Sequence, residues 1–214
     1  MPKKGLLIVI SGFSGVGKGT IVKELLKRYP DEFALSISAT SRKIREGEQE
    51  GREYFFVSRE KFEEMIENDR LLEHAVYNGN YYGTPKDYVL EKIGEGRNVI
   101  LEIEVQGGLQ IRDKFPDSLL LYVVPPSAKE LYDRLIGRGT ESVSEILRRM
   151  RRAVDEADYV PRYDEMTVND DLEVCVNEVY ELIRKKQEEA ASRDELLARL
   201  KEELIEITKE DDVL

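Results

Sequence analysis

Apolar positions along the chain switch between two periods. Leu6–Ile10 and Leu119–Val124 are short continuous apolar runs, and Val99–Ile103 repeats the signature with Glu102 near its end, the pattern of strands buried on both faces. Elsewhere apolar residues recur every three or four positions. Ile21, Val22, Leu25 and Leu26 do so within a helical stretch from about Lys18 to Arg28, which Pro30 ends. Each of the two later runs is also followed by a helical pattern, and Glu165–Val168 reads as a last short strand. Asp170 or Asp171 then caps a helix with apolar positions Leu172, Cys175, Val176, Val179 and Ile183. Ser127-Ala-Lys-Glu130 and Ser142-Val-Ser-Glu145 have the spacing of a capping box. Strands alternating with helices predict an α/β fold with a parallel sheet flanked by helices.

Two stretches interrupt this rhythm. From Ser36 to Tyr82 the strands are shorter and more polar (Leu35–Ala39, Tyr54–Val57, Leu72–Tyr77) and surround one helix, Arg59–Glu67. That is the pattern of a small mixed insertion. Ser127–Tyr159 reads as a second insertion, helical and rich in arginine. After Lys186 the composition turns to Glu, Lys, Arg and Ala. Ser192-Arg-Asp-Glu195 predicts the start of a separate terminal helix, ending in an acidic tail from Glu210 to Leu214. Leu196, Leu197, Leu200, Leu204 and Ile207 form one apolar stripe on it, expected to pack back on the body; a dimer contact is the alternative.

Composition narrows the function classes. Among 214 residues, 33 Lys and Arg face 44 Asp and Glu, a formal charge of −11. Bulk nucleic-acid binding needs a basic face, so that class is set aside. The single cysteine, Cys175, excludes an internal disulfide framework and a cysteine-based zinc site. The longest apolar runs are far short of the roughly 20 residues a membrane helix needs. A soluble cytoplasmic protein with no membrane partner is expected.

Against that acidic background one segment carries specific chemistry. Gly12-Phe13-Ser14-Gly15-Val16-Gly17-Lys18 fits G-x-x-x-x-G-K between a buried strand and a helix, the context a P-loop requires. Its glycines let successive backbone N–H groups turn inward, and the helix N-terminus adds positive potential. Lys18 is then placed to reach the β- and γ-phosphates of a nucleotide. The full motif has Ser or Thr after the lysine, whereas here Gly19 intervenes before Thr20. A magnesium ion must therefore be held by phosphate oxygens, water, Thr20 or an acidic residue. Glu102 and Glu104, at the carboxyl end of the Val99–Ile103 strand, are the candidates, since ligands of open α/β sheets bind at that edge.

A P-loop alone serves GTPases, ATPases and small-molecule kinases. The first insertion adds the groups of a second pocket. Arg42 and Arg45, with Tyr54, Tyr81 and Tyr82, are suitable donors to another phosphate. Glu73 can accept the paired N1–H and N2–H₂ donors of a guanine, which adenine lacks, and Ser38 and Thr84 can donate to its O6.

In motif order and spacing the chain resembles guanylate kinases over roughly residues 5 to 187. The resemblance rests on Ser11-Gly-Phe-Ser-Gly-Val-Gly-Lys-Gly-Thr20, Ser38-Ala-Thr-Ser-Arg42-Lys-Ile-Arg45-Glu-Gly-Glu48, Gly51-Arg-Glu-Tyr-Phe-Phe-Val57, Gly79-Asn-Tyr-Tyr-Gly-Thr84, Leu101-Glu-Ile-Glu-Val-Gln-Gly107 and Arg134-Leu-Ile-Gly-Arg-Gly-Thr140. It implies a P-loop nucleoside-monophosphate kinase fold: a core (1–35, 85–126, 160–187), a GMP-binding insertion (36–84) and a helical lid (127–159), with 188–214 as an extension. It implies ATP with Mg²⁺ as donor and GMP as acceptor, dGMP being expected beside it. Arg42, Arg45, Tyr54 and Tyr82 would take the GMP phosphate, and Ser38, Glu73 and Thr84 the guanine. Glu102 and Glu104 stand in the acceptor site where the family commonly has aspartates. Arg134, Arg138 and Arg149 would be lid arginines on the transferring phosphates, and Asn169 would lie near adenine. Thr20 and Glu102 remain the metal candidates, directly or through water. Phosphopeptide-binding scaffold domains of the same family typically lack an intact P-loop, which Gly12, Gly17 and Lys18 supply here. In the run Arg148, Arg149, Arg151 and Arg152 not all can face one site; Arg148 and Arg152 share a side and are expected in solvent. His74, the one histidine, is expected to be structural.

Overall fold

The computed structural model describes residues 5–77, 79–137, 139 and 142–210. Five parallel strands form the central sheet, in the order β2-β7-β1-β8-β9. They are β1 (Leu7–Gly12), β2 (Phe33–Leu35), β7 (Asn98–Glu102), β8 (Leu119–Val124) and β9 (Glu165–Val168). Alternation along β1 divides the core. Ile8 and Ile10 face the helices α1 (Lys18–Arg28) and α7 (Leu172–Glu210), among Ile21, Leu25, Val176 and Val179. Leu7 and Val9 face the other layer, formed by α3 (Lys86–Gly94) and α4 (Val105–Lys114), among Val89, Ile93, Val105 and Ile111. Covering both faces is why β1, β7 and β8 carry apolar side chains at consecutive positions, Leu7–Ile10, Val99–Leu101 and Leu119–Val124.

The remaining strands form a four-stranded sheet, β4-β3-β6-β5. It comprises β3 (Ala39–Thr40), β4 (Phe55–Phe56), β5 (Leu71–Tyr77) and β6 (Asn80–Pro85), packed on α2 (Arg59–Glu67) through Phe62 and Leu71. The expected strand Leu35–Ala39 is in fact two. The Ser36 N–H still bonds the Ile100 carbonyl of the core at 2.9 Å, while the Ser38 carbonyl accepts from Phe55 N–H, also at 2.9 Å. The chain therefore changes sheets within three residues, a switch that an apolar pattern does not encode. β6 and α3 were not among the elements expected. β6 is polar and glycine-bearing, and its pairing with β5 defines it as a strand.

Two helices form the arginine-rich arm, α5 (Ala128–Gly137) and α6 (Val143–Ala157). Ser142 and Glu145 make the complete capping box expected at α6, and the Ser127 hydroxyl accepts from Glu130 N–H at α5. Leu131, Leu135 and Ile146 bury a small core of their own between the two helices.

The C-terminal region departs from expectation. Asp171 caps α7, its Oδ1 accepting from Val174 N–H at 3.0 Å. The helix then runs unbroken for 39 residues, through Ser192. Ala, Glu, Lys and Arg around that position continue a helix readily, so no new cap is required. The stripe Leu196, Leu197, Leu200, Leu204 and Ile207 does not pack back on the body: these side chains are 41 % to 62 % exposed. The tail 211–214 lies outside the described residues. Among the described residues, no helix is long and apolar enough to cross a membrane.

Candidate functional site

The carboxyl edge of the central sheet carries the P-loop. β1 ends at Gly12 and α1 begins at Lys18, so the loop bends through residues 13–17. Gly17 sits at φ 102, and a Cβ there would lie 2.5 Å from the Asn169 side-chain nitrogen. Glycine is required on both counts. The Lys18 ammonium donates to the Gly12 carbonyl at 2.6 Å and to that of Phe13 at 3.3 Å, folding the lysine over the loop. Asn169 donates from its amide to the Val16 carbonyl at 2.8 Å and is buried. It braces the loop backbone. Arg134 bonds Glu130 at 2.9 Å and reaches the Val16 carbonyl at 3.4 Å. Phe13 packs edge-on against Tyr122, with ring centroids 5.4 Å apart.

Beside the loop lies a cavity of about 380 Å³, bounded by Ser14, Gly15, Gly17, Lys18, Gly19, Thr20, Lys23, Glu102 and Glu104. Glu102 arrives there because β7 pairs with β1 in register Ile10↔Glu102. A Cβ on Gly19 would lie 3.6 Å from both Glu102 carboxylate oxygens. Crowding by the protein pushes the Glu102 carboxyl up; Lys18 opposes this and Glu104 adds to it. The oxygens of Glu102 and the Thr20 hydroxyl suit a hard divalent cation. Among the described residues no group of three His, Cys, Asp or Glu could hold a metal by itself.

A second cavity, of about 570 Å³, runs from Lys18 to the insertion. Ser38, Arg42, Arg45, Tyr54, Glu73 and Tyr82 line it from the insertion side, Glu102 and Glu104 from the core, and Arg148 and Arg149 from α6. At its floor Glu73 is buried and accepts from the Thr84 hydroxyl at 2.7 Å. Thr84 is itself wholly buried, so it supports Glu73 from behind. Gly107 closes on the other side of the carboxylate, where a Cβ would meet Oε2 at 2.4 Å. Burial pushes the Glu73 carboxyl up to about 7, against the lowering effects of Thr84 and Lys114. It sits poised between acceptor and protonated donor at neutral pH.

The cup wall is held by Glu48. It takes both Nη atoms of Arg42, at 2.8 and 3.0 Å, and the Arg45 N–H at 2.8 Å. The Arg42 guanidinium also lies 5.3 Å from the Tyr54 ring centroid and 5.7 Å from that of Phe56. Glu48 ends the Ser38–Glu48 motif, yet no role was expected of it. Its spacing of three from Arg45 is the local signal that was available. Tyr81, a candidate phosphate donor beside Tyr82, points away; it stacks on Phe62 and bonds Glu63 and Arg59.

The arginines of the α5–α6 arm divide. Arg149 donates to the Ser14 hydroxyl of the P-loop at 2.7 Å. Arg148 is exposed, as expected, and borders the larger cavity. Arg152, also expected in solvent, bonds Glu104 at 2.9 Å and Glu156 at 2.7 Å instead. Helical spacing placed both correctly on one side of α6, but only tertiary packing says what that side meets. Arg138 lies outside the described residues. His74 is tied by its backbone to Gln110, consistent with a structural position.

A family model described as guanylate kinase matches residues 4–186. The chain belongs to the guanylate kinase family. It is 44 % identical to a guanylate kinase of Caldanaerobacter subterraneus subsp. tengcongensis, over 95 % of this chain and 98 % of that one. It is 49 % identical to one of Bacillus cereus, over 85 % and 88 %. A crystal structure of guanylate kinase from Anaplasma phagocytophilum is similar at a TM-score of 0.71 and 28 % identity, over 86 % of this chain and 87 % of that one. The fold is therefore that of a P-loop nucleoside-monophosphate kinase, with its parallel sheet flanked by helices.

Proposed function

We propose that the P-loop cavity takes ATP and the cup beyond it takes GMP, so that the γ-phosphoryl group passes between them over Lys18. Membership in the family carries the reaction itself, ATP + GMP giving ADP + GDP, catalysed by a nucleoside-monophosphate kinase. The observation supporting the site assignment is that a single cavity is bordered by Lys18, by Arg42 and Arg45, and by a buried carboxylate, Glu73.

The acceptor oxygen belongs to a phosphate monoester, mostly ionised near neutral pH because its second pKa is ~6. No strong base is needed. The obstacle is repulsion between two polyanions, and the work is positioning and charge neutralisation. Arg42, Arg45, Tyr54 and Tyr82 would hold the GMP phosphate, while Ser38 and the Glu73–Thr84 pair would read guanine. Lys18, Arg149, Arg134 and Arg138 would oppose the charge developing on the transferred group. Asn169, through its grip on Val16, would keep the loop shaped for ATP and border its adenine end. A divalent ion, Mg²⁺ in this reading, would sit on the ATP phosphates with Thr20 and Glu102 at its edge, and when bound it neutralises charge on the β- and γ-oxygens. The division into a core (1–35, 85–126, 160–187), an acceptor insertion (36–84), a lid (127–159) and an extension (188–214) belongs to the same reading.

Measuring ADP after incubation with ATP, Mg²⁺ and each of GMP, dGMP, AMP, UMP and CMP tests it. Turnover with GMP, and with dGMP to a lesser degree, is expected. Equal turnover of AMP would refute the assignment of Glu73 to guanine.

A further inference from the structure

Arg152 is one side chain in contact with all three parts of the molecule. It projects from α6. Its Nη2 donates to Glu104, the residue preceding α4 in the core, at 2.9 Å. Its Nε donates to Glu156 of the same helix at 2.7 Å. Its guanidinium lies over the ring of Tyr77, on β5 of the insertion, with its carbon 4.7 Å from the centroid. Tyr77 in turn meets Tyr82 edge-on, with centroids 6.3 Å apart, and both rings border the larger cavity. Glu104 borders both cavities. Glu156 is buried, and burial pushes its carboxyl up while Arg152 pulls it down. A planar guanidinium suits this place: it forks to two carboxylates and still offers a face to an aromatic ring.

We propose that Arg152 is a positioning residue that locks the α5–α6 arm onto the acceptor insertion and holds Glu104 between the two cavities, so that donor and acceptor binding reinforce each other. This rests on the assignment of the two cavities to ATP and GMP. Arg152 borders neither cavity and need not touch either nucleotide. The arm already rests on the P-loop through Arg149 and Ser14, so a donor nucleotide bound there would stabilise this placement of the arm. The same placement keeps Arg152 on Tyr77 and Glu104, which steadies the wall carrying Tyr82. By linkage, a nucleotide that favours one side of this contact favours the other by the same factor.

Calorimetric titration of GMP, with and without a non-hydrolysable ATP analogue and Mg²⁺, reads that factor directly. In the wild-type chain the analogue is expected to tighten GMP binding. Arg152→Ala should lower the tightening by about 5-fold, the small end of common coupling factors. Arg152→Lys keeps the charge towards Glu104 but loses the planar face, and should recover part of it. Tyr77→Leu, which leaves Arg152 and its carboxylates intact, should lower the tightening about 2-fold, the loss of a weak cation–π contact. It keeps the test open should Arg152→Ala not fold. An unchanged tightening in Arg152→Ala, or in both Arg152→Lys and Tyr77→Leu, overturns the proposal. A wild-type chain that binds no GMP at all would instead overturn the cavity assignment on which it rests.

Discussion

The cradle proposed for the donor and the cup proposed for the acceptor are built from different materials. The cradle is backbone: five consecutive residues, 13–17, between one strand and one helix, with Gly17 in a left-handed conformation and Lys18, the first residue of the helix, folded over carbonyls of the loop. The cup is side chain. Ser38, Arg42, Tyr54, Glu73 and Tyr82 come from separate segments of a small sheet, and Gly107, which closes on Glu73, comes from a core helix. A ligand that presents only phosphates can be held by N–H groups, whose direction local geometry sets. Telling guanine from adenine requires a particular carboxylate at a particular depth, and that demands long-range assembly. The cradle should therefore fail abruptly when one residue is removed, and the cup by degrees.

The sharpest way to break this contrast is Lys18→Ala. GMP phosphorylation is expected to fall at least about 10²-fold, the loss of one transition-state contact, as measured by a coupled ADP assay. On the acceptor side Glu73→Gln replaces an acceptor with an amide that faces guanine's donors. It should lower kcat/KM for GMP about 30-fold, close to the ~2 kcal/mol cost of a buried unpaired donor. If Lys18→Ala proves the milder of the two, the contrast is wrong.

Proton uptake separates the two sites further. With its carboxyl raised to about 7 by burial, Glu73 must lose a proton to accept from guanine. GMP binding should weaken about tenfold between pH 8 and pH 6, as expected for one required ionisation. Glu73→Gln corrects for the titration of the GMP phosphate and should remove most of that slope. The sign for stability is the opposite. Burial favours the protonated form, so the stabilisation is complete below the ordinary glutamate range and is lost as pH rises through about 7. The Tm of the ligand-free protein should therefore fall across that window, and a rising Tm would contradict the burial argument.

Smaller effects should come from the brace behind the cup. Glu48→Ala leaves Arg42 charged but unaligned, and should raise KM for GMP about 5-fold, near the ~1 kcal/mol of a typical hydrogen bond, with kcat changed less. The smallest effect is expected far from both sites: paired Leu197→Glu and Leu204→Glu on the exposed stripe of α7 should leave kcat and KM within about 2-fold, as surface changes usually do. Sedimentation of the same variant reads whether the wild-type chain is a monomer or a dimer through that stripe.

Much of this was legible in the residues. The P-loop is contiguous, so its strand, bend and helix could be read together. The strand runs of the core followed from apolar continuity, apart from the two-sheet path through Ser36–Ser38. The acceptor residues were legible by type, since Arg42, Tyr82 and Glu73 belong to ordered motifs, but their roles were not all separable. Thr84 was expected on guanine; that its hydroxyl also bonds Glu73 follows from the pairing of β5 with β6, which no local pattern encodes. Arg152 was expected in solvent because a helical wheel shows which residues share a face and not what that face meets.

By itself the sequence determined the alternation of buried strands and helices, the phosphate-binding bend and the kinds of side chain available to a second nucleotide. Those features depend on neighbours within about one turn or one strand, where local sterics and hydrogen bonding decide. Tertiary structure alone decided that the α7 leucines stay outward, that Glu48 clamps Arg42, and that Arg152 reaches Glu104 and Tyr77. Each of those depends on which distant surface arrives opposite a side chain. Local periodicity does not specify that, and packing of the whole chain does.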